Sequence, residues 1–309
     1  DTILYFFLAW YFEQVIPSQY GVAKPFYFVF TPKFWGSCMS VITSGNVPKT
    51  YNSIYNRGES NNTNFETAGD DLVARVQIQN LVKLYGGAQK RAVDGLNLTM
   101  YESQITCLLG HNGAGKTTTI SVLTGLYPPT SGDCNIFGNL ISTDLIEARQ
   151  SMGICPQHNV LFPELTVSEH IEFFNRIKGI KPTTAVIQKH ATEVGLGDKM
   201  ETLSGALSGG MKRKLSVAIA LCGNPKFLLL DEPTSGMDPY SHRATWELLR
   251  KNKKGRVTLL TTHFMDEAEV LSDRIAVLKT GRLQCVGSSL FLKKRFGIGY
   301  NLTMVAEKL

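Results

Sequence analysis

Several absences limit this 309-residue chain before any motif is read. Its six cysteines, Cys38, Cys107, Cys134, Cys155, Cys222 and Cys285, include no CxxC pair and no zinc-type spacing with histidine, so reduced thiols in a cytosolic setting are expected. No excess of either charge stands out: charged residues make up 19% and the net charge is a modest +6. The basic clusters Lys251/Lys253/Lys254/Arg256 and Lys293/Lys294/Arg295 read as solvated helix faces, and no nucleic-acid partner is expected. There is no internal repeat. There is also no signal-peptide pattern, because the apolar opening segment has neither a basic region before it nor a small-residue cleavage site after it.

That opening segment, TILYFFLAWYF from Thr2 to Phe12, is shorter than the about 20 residues that span a bilayer. It fits either a buried core helix or the last turns of a membrane helix. Its crowd of Tyr5, Phe6, Phe7, Trp10, Tyr11 and Phe12 favours the second, since aromatic rings collect at the membrane-water interface. Residues 1–16 are therefore expected to end a transmembrane or interfacial helix. Residues 17–72 form a connector, broken first by Pro17, Pro25 and Pro32 and then by a polar, Asn-rich stretch with little to bury. Sequons at Asn61, Asn97 and Asn301 would matter only in a secreted protein.

A domain is expected over 73–299, leaving 300–309 as the start of a C-terminal extension. VARVQIQNLVKLY (73–85) and AVDGLNLTMY (92–101) alternate as strands do, whereas ITCLLG, FLLLD (227–231) and VTLLTTH (257–263) are continuous apolar runs. Continuous runs separated by helical segments predict a parallel sheet covered on both faces. A helical insertion, with patterning such as VSEHIEFFNRIKG, is expected over about 149–210.

Between ITCLLG and the helical run TISVLTGL lies GHNGAGKT, which fits GxxxxGK[ST] from Gly110 to Thr117 in its strand-loop-helix context. Glycines let backbone N–H groups turn toward phosphates, Lys116 adds charge against the outer phosphates, and Thr117 can ligate magnesium. FLLLDE ends its strand with two carboxylates at the edge where the loop also lies. Asp231 suits magnesium and Glu232 suits a general base beside the terminal phosphate. His263 closes another strand, within reach of the same phosphate. A second helix start, LSGGMKRKLS from Leu207 to Ser216, offers Ser208 as a cap and Gly209 and Gly210 for close backbone approach.

In these motifs the chain resembles the nucleotide-binding domain of ABC transporters. Walker A lies at Gly110–Thr117, Walker B at Phe227–Asp231 followed by Glu232, and the LSGG signature at Leu207–Gly210. Gln157 in CPQHN matches the Q-loop, Ser235–Asp238 the D-loop, His263 the switch histidine, and Tyr85 the aromatic residue that stacks on adenine. GHNGAGKTTT, CPQHNVLF, LSGGMKRKLSVAIA, DEPTSGMDPYS and THFMDEAEVLSDRIAVL are similar to the first nucleotide-binding domain of subfamily A, the lipid-exporter-like branch. The aromatic N-terminal segment resembles the exit of that subfamily from its membrane helix.

The resemblance implies an α/β P-loop NTPase fold: a RecA-like core, an antiparallel β subdomain and a helical subdomain. It implies ATP and Mg2+ as ligands, with Gly110, Asn112, Gly113, Ala114, Gly115, Lys116, Thr117 and Thr118 around the phosphates and Thr117, Gln157 and Asp231 at the metal. Glu232, His263 and Lys116 are the implied catalytic groups. Ser208, Gly209 and Gly210 would cover an ATP bound to a second domain in a head-to-tail sandwich. Gln157 with Phe162, Phe173 and Phe174 is the surface expected toward the transmembrane domains, although Phe173 and Phe174 also fit a plain core. The implied protein is a multi-pass membrane exporter, with this domain on the cytoplasmic side and a lipid substrate handled by the membrane part. A soluble ABC ATPase acting on ribosomes or DNA is the competing expectation. A GTPase is disfavoured because no NKxD motif is present.

Overall fold

A computed structural model describes residues 64–69, 71–85 and 91–297, together with Tyr5, Leu8, Tyr11, Phe12 and Val15. Those five N-terminal residues are helical, and Tyr11 and Phe12 meet edge to face with centroids 5.7 Å apart. Among the described residues no helix is long and apolar enough to cross a membrane. Most of the expected connector, and all of the expected 300–309 extension, lie outside the described residues.

Two sheets organise the chain. The first is antiparallel, in the order β2-β1-β4-β5, with β1 at Ala74–Lys83, β2 at Val93–Tyr101, β4 at Ser131–Ile136 and β5 at Asn139–Leu140. The second runs β10-β9-β3-β8-β7-β6, built from β3 (Gln104–Leu109), β6 (Met152–Cys155), β7 (Phe227–Asp231), β8 (Val257–Thr262), β9 (Arg274–Lys279) and β10 (Arg282–Gly287). All its neighbours are parallel except β9 and β10, which form an antiparallel edge hairpin.

Alternation along the strands explains why their sequences are apolar throughout. In β7, Leu228 and Leu230 enter one core while Phe227 and Leu229 enter the other. Successive side chains point to opposite faces, so a strand covered on both faces needs no polar alternation. One core lies under the antiparallel sheet with α1 (Lys116–Leu123) and α2 (Leu145–Gln150). The other holds α3 (Val167–Ile177), α4 (Thr184–Glu193), α5 (Gly209–Leu221), α6 (Pro239–Lys251), α7 (Met265–Leu271) and α8 (Ser289–Phe296).

The expected strands and the helix after GHNGAGKT are present. The insertion read from about residue 149 opens differently: Met152–Cys155 is the edge strand of the parallel sheet, pairing with Phe227–Leu230. Four residues containing a glycine give too short an apolar run to read as a strand. Gly153 is nonetheless required there, because a Cβ would sit 2.0 Å from the carbonyl oxygen of Ala220. Helices α3 and α4 follow, and α3 is capped by a reciprocal Thr166–Glu169 box. Phe173 is exposed, whereas Phe174 packs against the core.

Candidate functional site

The loop between β3 and α1 wraps tightly because two glycines have no room for a side chain. A Cβ on Gly110 would lie 2.5 Å from the Leu278 carbonyl oxygen, and one on Gly115 would lie 2.5 Å from that of Ala92. Gly115 also has φ +108°, a left-handed conformation that glycine adopts without strain. It is the N-cap of α1 and contributes no side-chain cap, and the first turn holds no acidic residue. The start of α1 thus presents backbone N–H groups and the positive end of its dipole. Lys116 is buried and donates to the carbonyls of Gly110 at 2.6 Å and His111 at 3.2 Å, which keeps the ammonium inside the loop. Thr117 is exposed at the mouth and Ala114 is buried beneath it.

One polar cavity of about 210 Å³ joins this loop to two distant residues. Asn112, Gly113, Gly115, Lys116, Thr117 and Thr118 line it from one side, and Gln157 and Glu232 from the other. Gln157 follows β6 and Glu232 follows β7, so adjacent strands deliver both. Glu232 is the hub of this group. Its Oε2 accepts from Gln157 Nε2 at 3.4 Å, and its Oε1 lies 3.1 Å from His263 Nδ1. Its backbone is left-handed at φ +49°, a conformation that costs a non-glycine residue about 1–3 kcal/mol. The backbone N–H of Glu232 is held by the Thr261 carbonyl and hydroxyl, both at 3.1 Å. The neighbouring Asp231 is buried, and its carboxylate accepts from Thr261 Oγ1 at 2.5 Å, leaving its second oxygen without that partner.

Tyr85 stands apart from this cavity at the end of β1. It makes a T-shaped contact with Tyr127 at 5.5 Å, and Lys83 Nζ sits 5.3 Å and 5.5 Å from the two ring centroids while donating to the Pro128 carbonyl. Burial pushes the Lys83 ammonium below its ordinary pKa. Ser208, Gly209 and Gly210 do not line the cavity either. Ser208 caps α5, its hydroxyl accepting from the Met211 N–H at 3.3 Å, and both Ser208 and Gly209 are exposed.

Magnesium typically uses one or two protein carboxylates and takes its remaining ligands from phosphates and water. The donor types present fit that pattern, with a hydroxyl at Thr117, an amide at Gln157 and a buried carboxylate at Asp231, although Asp231 itself does not line the cavity. Among the described residues no cluster of three or more His, Cys, Asp or Glu could hold a metal without the nucleotide.

Of the buried charged residues that sequence did not pick out, Arg213 and Glu267 are the most enclosed. Arg213 on α5 is 1% exposed and binds the backbone carbonyls of Pro156, Gln157, Asp231, Glu232 and Pro233. Glu267 on α7 is 3% exposed; it accepts from Thr234 Oγ1 at 2.6 Å, Trp246 Nε1 at 3.2 Å and Thr262 Oγ1 at 2.5 Å. Each lies in a buried helical stripe, Arg213 with Val217 and Ala220, Glu267 with Leu271. A charge at i, i+4 or i+7 from core residues was the available signal.

Comparison with known proteins agrees with this geometry. The ABC transporter family profile matches residues 93–235. The chain is 49% identical to the rat phospholipid-transporting ATPase ABCA3 over 321 residues, covering 99% of the chain and 18% of that protein. It is 48% identical to the mouse retinal-specific phospholipid-transporting ATPase ABCA4, covering 99% of the chain and 14% of the relative. It is 44% identical to rat ATP-binding cassette sub-family A member 2, with 99% and 13% covered. The chain therefore spans less than one fifth of the length of these relatives. Among solved structures, an ATP-binding subunit of an ABC transporter aligns with TM-score 0.65 and 27% identity over 72% of this chain and 94% of that one. A bacterial Atm1-family ABC exporter with ATP bound aligns with TM-score 0.66 and 28% identity over 72% and 40%. With the phosphate loop, the Gln157–Glu232–His263 group and the two sheets in place, these likenesses establish that the chain belongs to the ABC transporter family, on its subfamily A branch, as a nucleotide-binding domain.

Proposed function

We propose that this chain binds and hydrolyses ATP on the cytoplasmic side of a multi-pass membrane exporter and drives the movement of phospholipid. The observation that carries this reading is the cavity shared by the phosphate loop, Gln157 and Glu232, with His263 against the same carboxylate. ATP lies with its phosphates on the start of α1, where free N–H groups and Lys116 meet their charge. Thr117, Asp231 and Gln157 hold magnesium, which supplies charge neutralisation at the phosphates when bound. Glu232 accepts a proton from the attacking water, and His263 fixes the Glu232 carboxylate and reaches the terminal phosphate. Tyr85 stacks on adenine.

Ser208, Gly209 and Gly210 serve a second nucleotide-binding domain, in keeping with the exposure of Ser208 and Gly209 and the absence of all three from the cavity lining. Two domains then close head to tail over two ATPs. ATP favours closure because its charge is met from both sides only there, and hydrolysis removes that preference. The exposed Phe162 and Phe173 pack edge to face at 5.7 Å, and they form the surface facing the transmembrane domains. Likeness to phospholipid-transporting ATPases over 99% of the chain supports the lipid assignment, and the aromatic N-terminal segment supports a domain that follows a membrane helix.

The test is ATP turnover of the full-length protein in phospholipid vesicles, with Glu232→Gln beside it. Turnover is expected to fall roughly 100- to 10,000-fold in the variant while ATP binding persists. ATP-dependent movement of a fluorescent phosphatidylcholine between leaflets should stop with it. Full turnover in Glu232→Gln would remove that residue from the chemistry, and hydrolysis without lipid movement would remove the substrate assignment.

A further inference from the structure

Arg213 is unusual for a fully buried cation, because all its hydrogen-bond partners are neutral oxygens. Nε donates to the Pro233 carbonyl at 3.1 Å. Nη1 donates to the carbonyls of Pro156 at 2.5 Å and Gln157 at 3.1 Å, and meets Asn159 Oδ1 at 3.4 Å. Nη2 donates to the carbonyls of Asp231 at 2.5 Å and Glu232 at 2.8 Å. A buried charge is costly unless surrounding groups meet it, and here five backbone carbonyls converge to do so.

The partners fall into two segments only. One carries Gln157 and the other carries Glu232, the two residues that reach across the cavity toward the phosphate loop. Packing alone does not call for a charge here, since an apolar side chain would fill the same volume but would leave the five carbonyls without their donor. What the planar guanidinium adds is orientation: five N–H donors in a rigid fork hold five carbonyls in fixed directions, whereas a lysine ammonium has three donors on a rotating head. Fixing the Asp231, Glu232 and Pro233 carbonyls also fixes the left-handed peptide at Glu232, and with it the direction of the Glu232 carboxylate.

We propose that Arg213 is a positioning residue for ATP hydrolysis: it orients the peptide groups that carry Gln157 and Glu232 and ties both to the helix that starts at Ser208. The inference rests on the reading of Glu232 as general base. Arg213 lies five residues along α5 from Ser208, about 7.5 Å on a helix rise of 1.5 Å per residue. A load on the exposed start of α5 therefore reaches both cavity-lining loops through one rigid element.

The experiment is a double-mutant cycle in the full-length protein in phospholipid vesicles, with Arg213→Lys as the conservative change. Arg213→Lys should lower kcat roughly 10- to 100-fold with little change in KM or in ATP binding, because a misplacement of about 1 Å at a reacting group costs on that order. On the Glu232→Gln background the same substitution should change the residual turnover little, since the group it positions is already gone. Arg213→Ala should regain turnover in millimolar guanidinium but not in sodium chloride of equal ionic strength. Equal slowing on both backgrounds, or a loss expressed only in KM, overturns the assignment. Full turnover in Arg213→Lys beside an inactive Glu232→Gln overturns it alone, whereas full turnover in Glu232→Gln overturns the general-base reading beneath it. If Arg213→Ala fails to fold, the cycle with Arg213→Lys decides.

Discussion

The two helix starts whose sequences suggest phosphate contact, those of α1 and α5, are built in opposite ways. The start of α1 has no cap of its own, is pinned by glycines against neighbouring carbonyls, and lies inside a cavity that this chain completes with Gln157 and Glu232. The start of α5 is capped by Ser208, lies on the surface, and touches none of that cavity. A helix start without a cap leaves its N–H groups for a ligand, while a self-capped one remains stable when nothing is bound. The first suits a site filled by the chain's own nucleotide, and the second suits a surface that meets an anion intermittently and from outside.

The contrast can be broken most sharply at Gly209. A Cβ there meets nothing within 4 Å, so Gly209→Asp adds a carboxylate without a clash. It should cut turnover roughly 100-fold or more by repelling phosphate where donors are needed, yet leave ATP affinity at the α1 loop unchanged. Loss of ATP binding in titrations of that variant would mean that both helix starts serve one nucleotide.

Gly115→Ala tests the other member of the pair. The new Cβ would lie 2.5 Å from the Ala92 carbonyl oxygen at φ +108°, so a cost of about 1–3 kcal/mol is expected, read as a lower Tm, together with weaker ATP binding. An unaltered Tm would show that the loop is looser than its contacts imply.

The smallest effect concerns the far end of α5, where His190 Nδ1 lies 3.9 Å from the Sγ of Cys222, the C-cap residue. Burial holds the His190 imidazole below its ordinary pKa; Glu193 opposes this, and Lys189 and Arg256 add to it. The unfolded chain then binds more protons in the window between the folded pKa and the unfolded value of about 6.5. Stability is complete above that window and falls as pH drops through it. His190→Gln should flatten this slope in denaturant titrations between neutral and mildly acidic pH. An unchanged slope would assign it to other groups.

Much of this arrangement was written in contiguous residues. GHNGAGKT announces its loop because glycine spacing, the lysine and the flanking strand and helix are all local, and FLLLDE announces buried carboxylates because four apolar residues precede them. Asp231, Glu232, Gln157 and His263 could each be singled out from such patterns and from likeness to a family. The convergence of Gln157 and His263 on the Glu232 carboxylate could not, since it depends on the strand order that sets β6 beside β7 and β7 beside β8. The edge strand Met152–Cys155 was hidden because its short, glycine-containing segment takes its shape from the neighbour it pairs with. Arg213 was hidden for a deeper reason: its partners are backbone carbonyls, which every residue carries, so no side-chain pattern encodes them. Sequence determined which groups are available for phosphate chemistry. Only the packing of α5 beneath the two loops decided which peptide oxygens a buried guanidinium meets, because that choice depends on distances across the fold rather than along the chain.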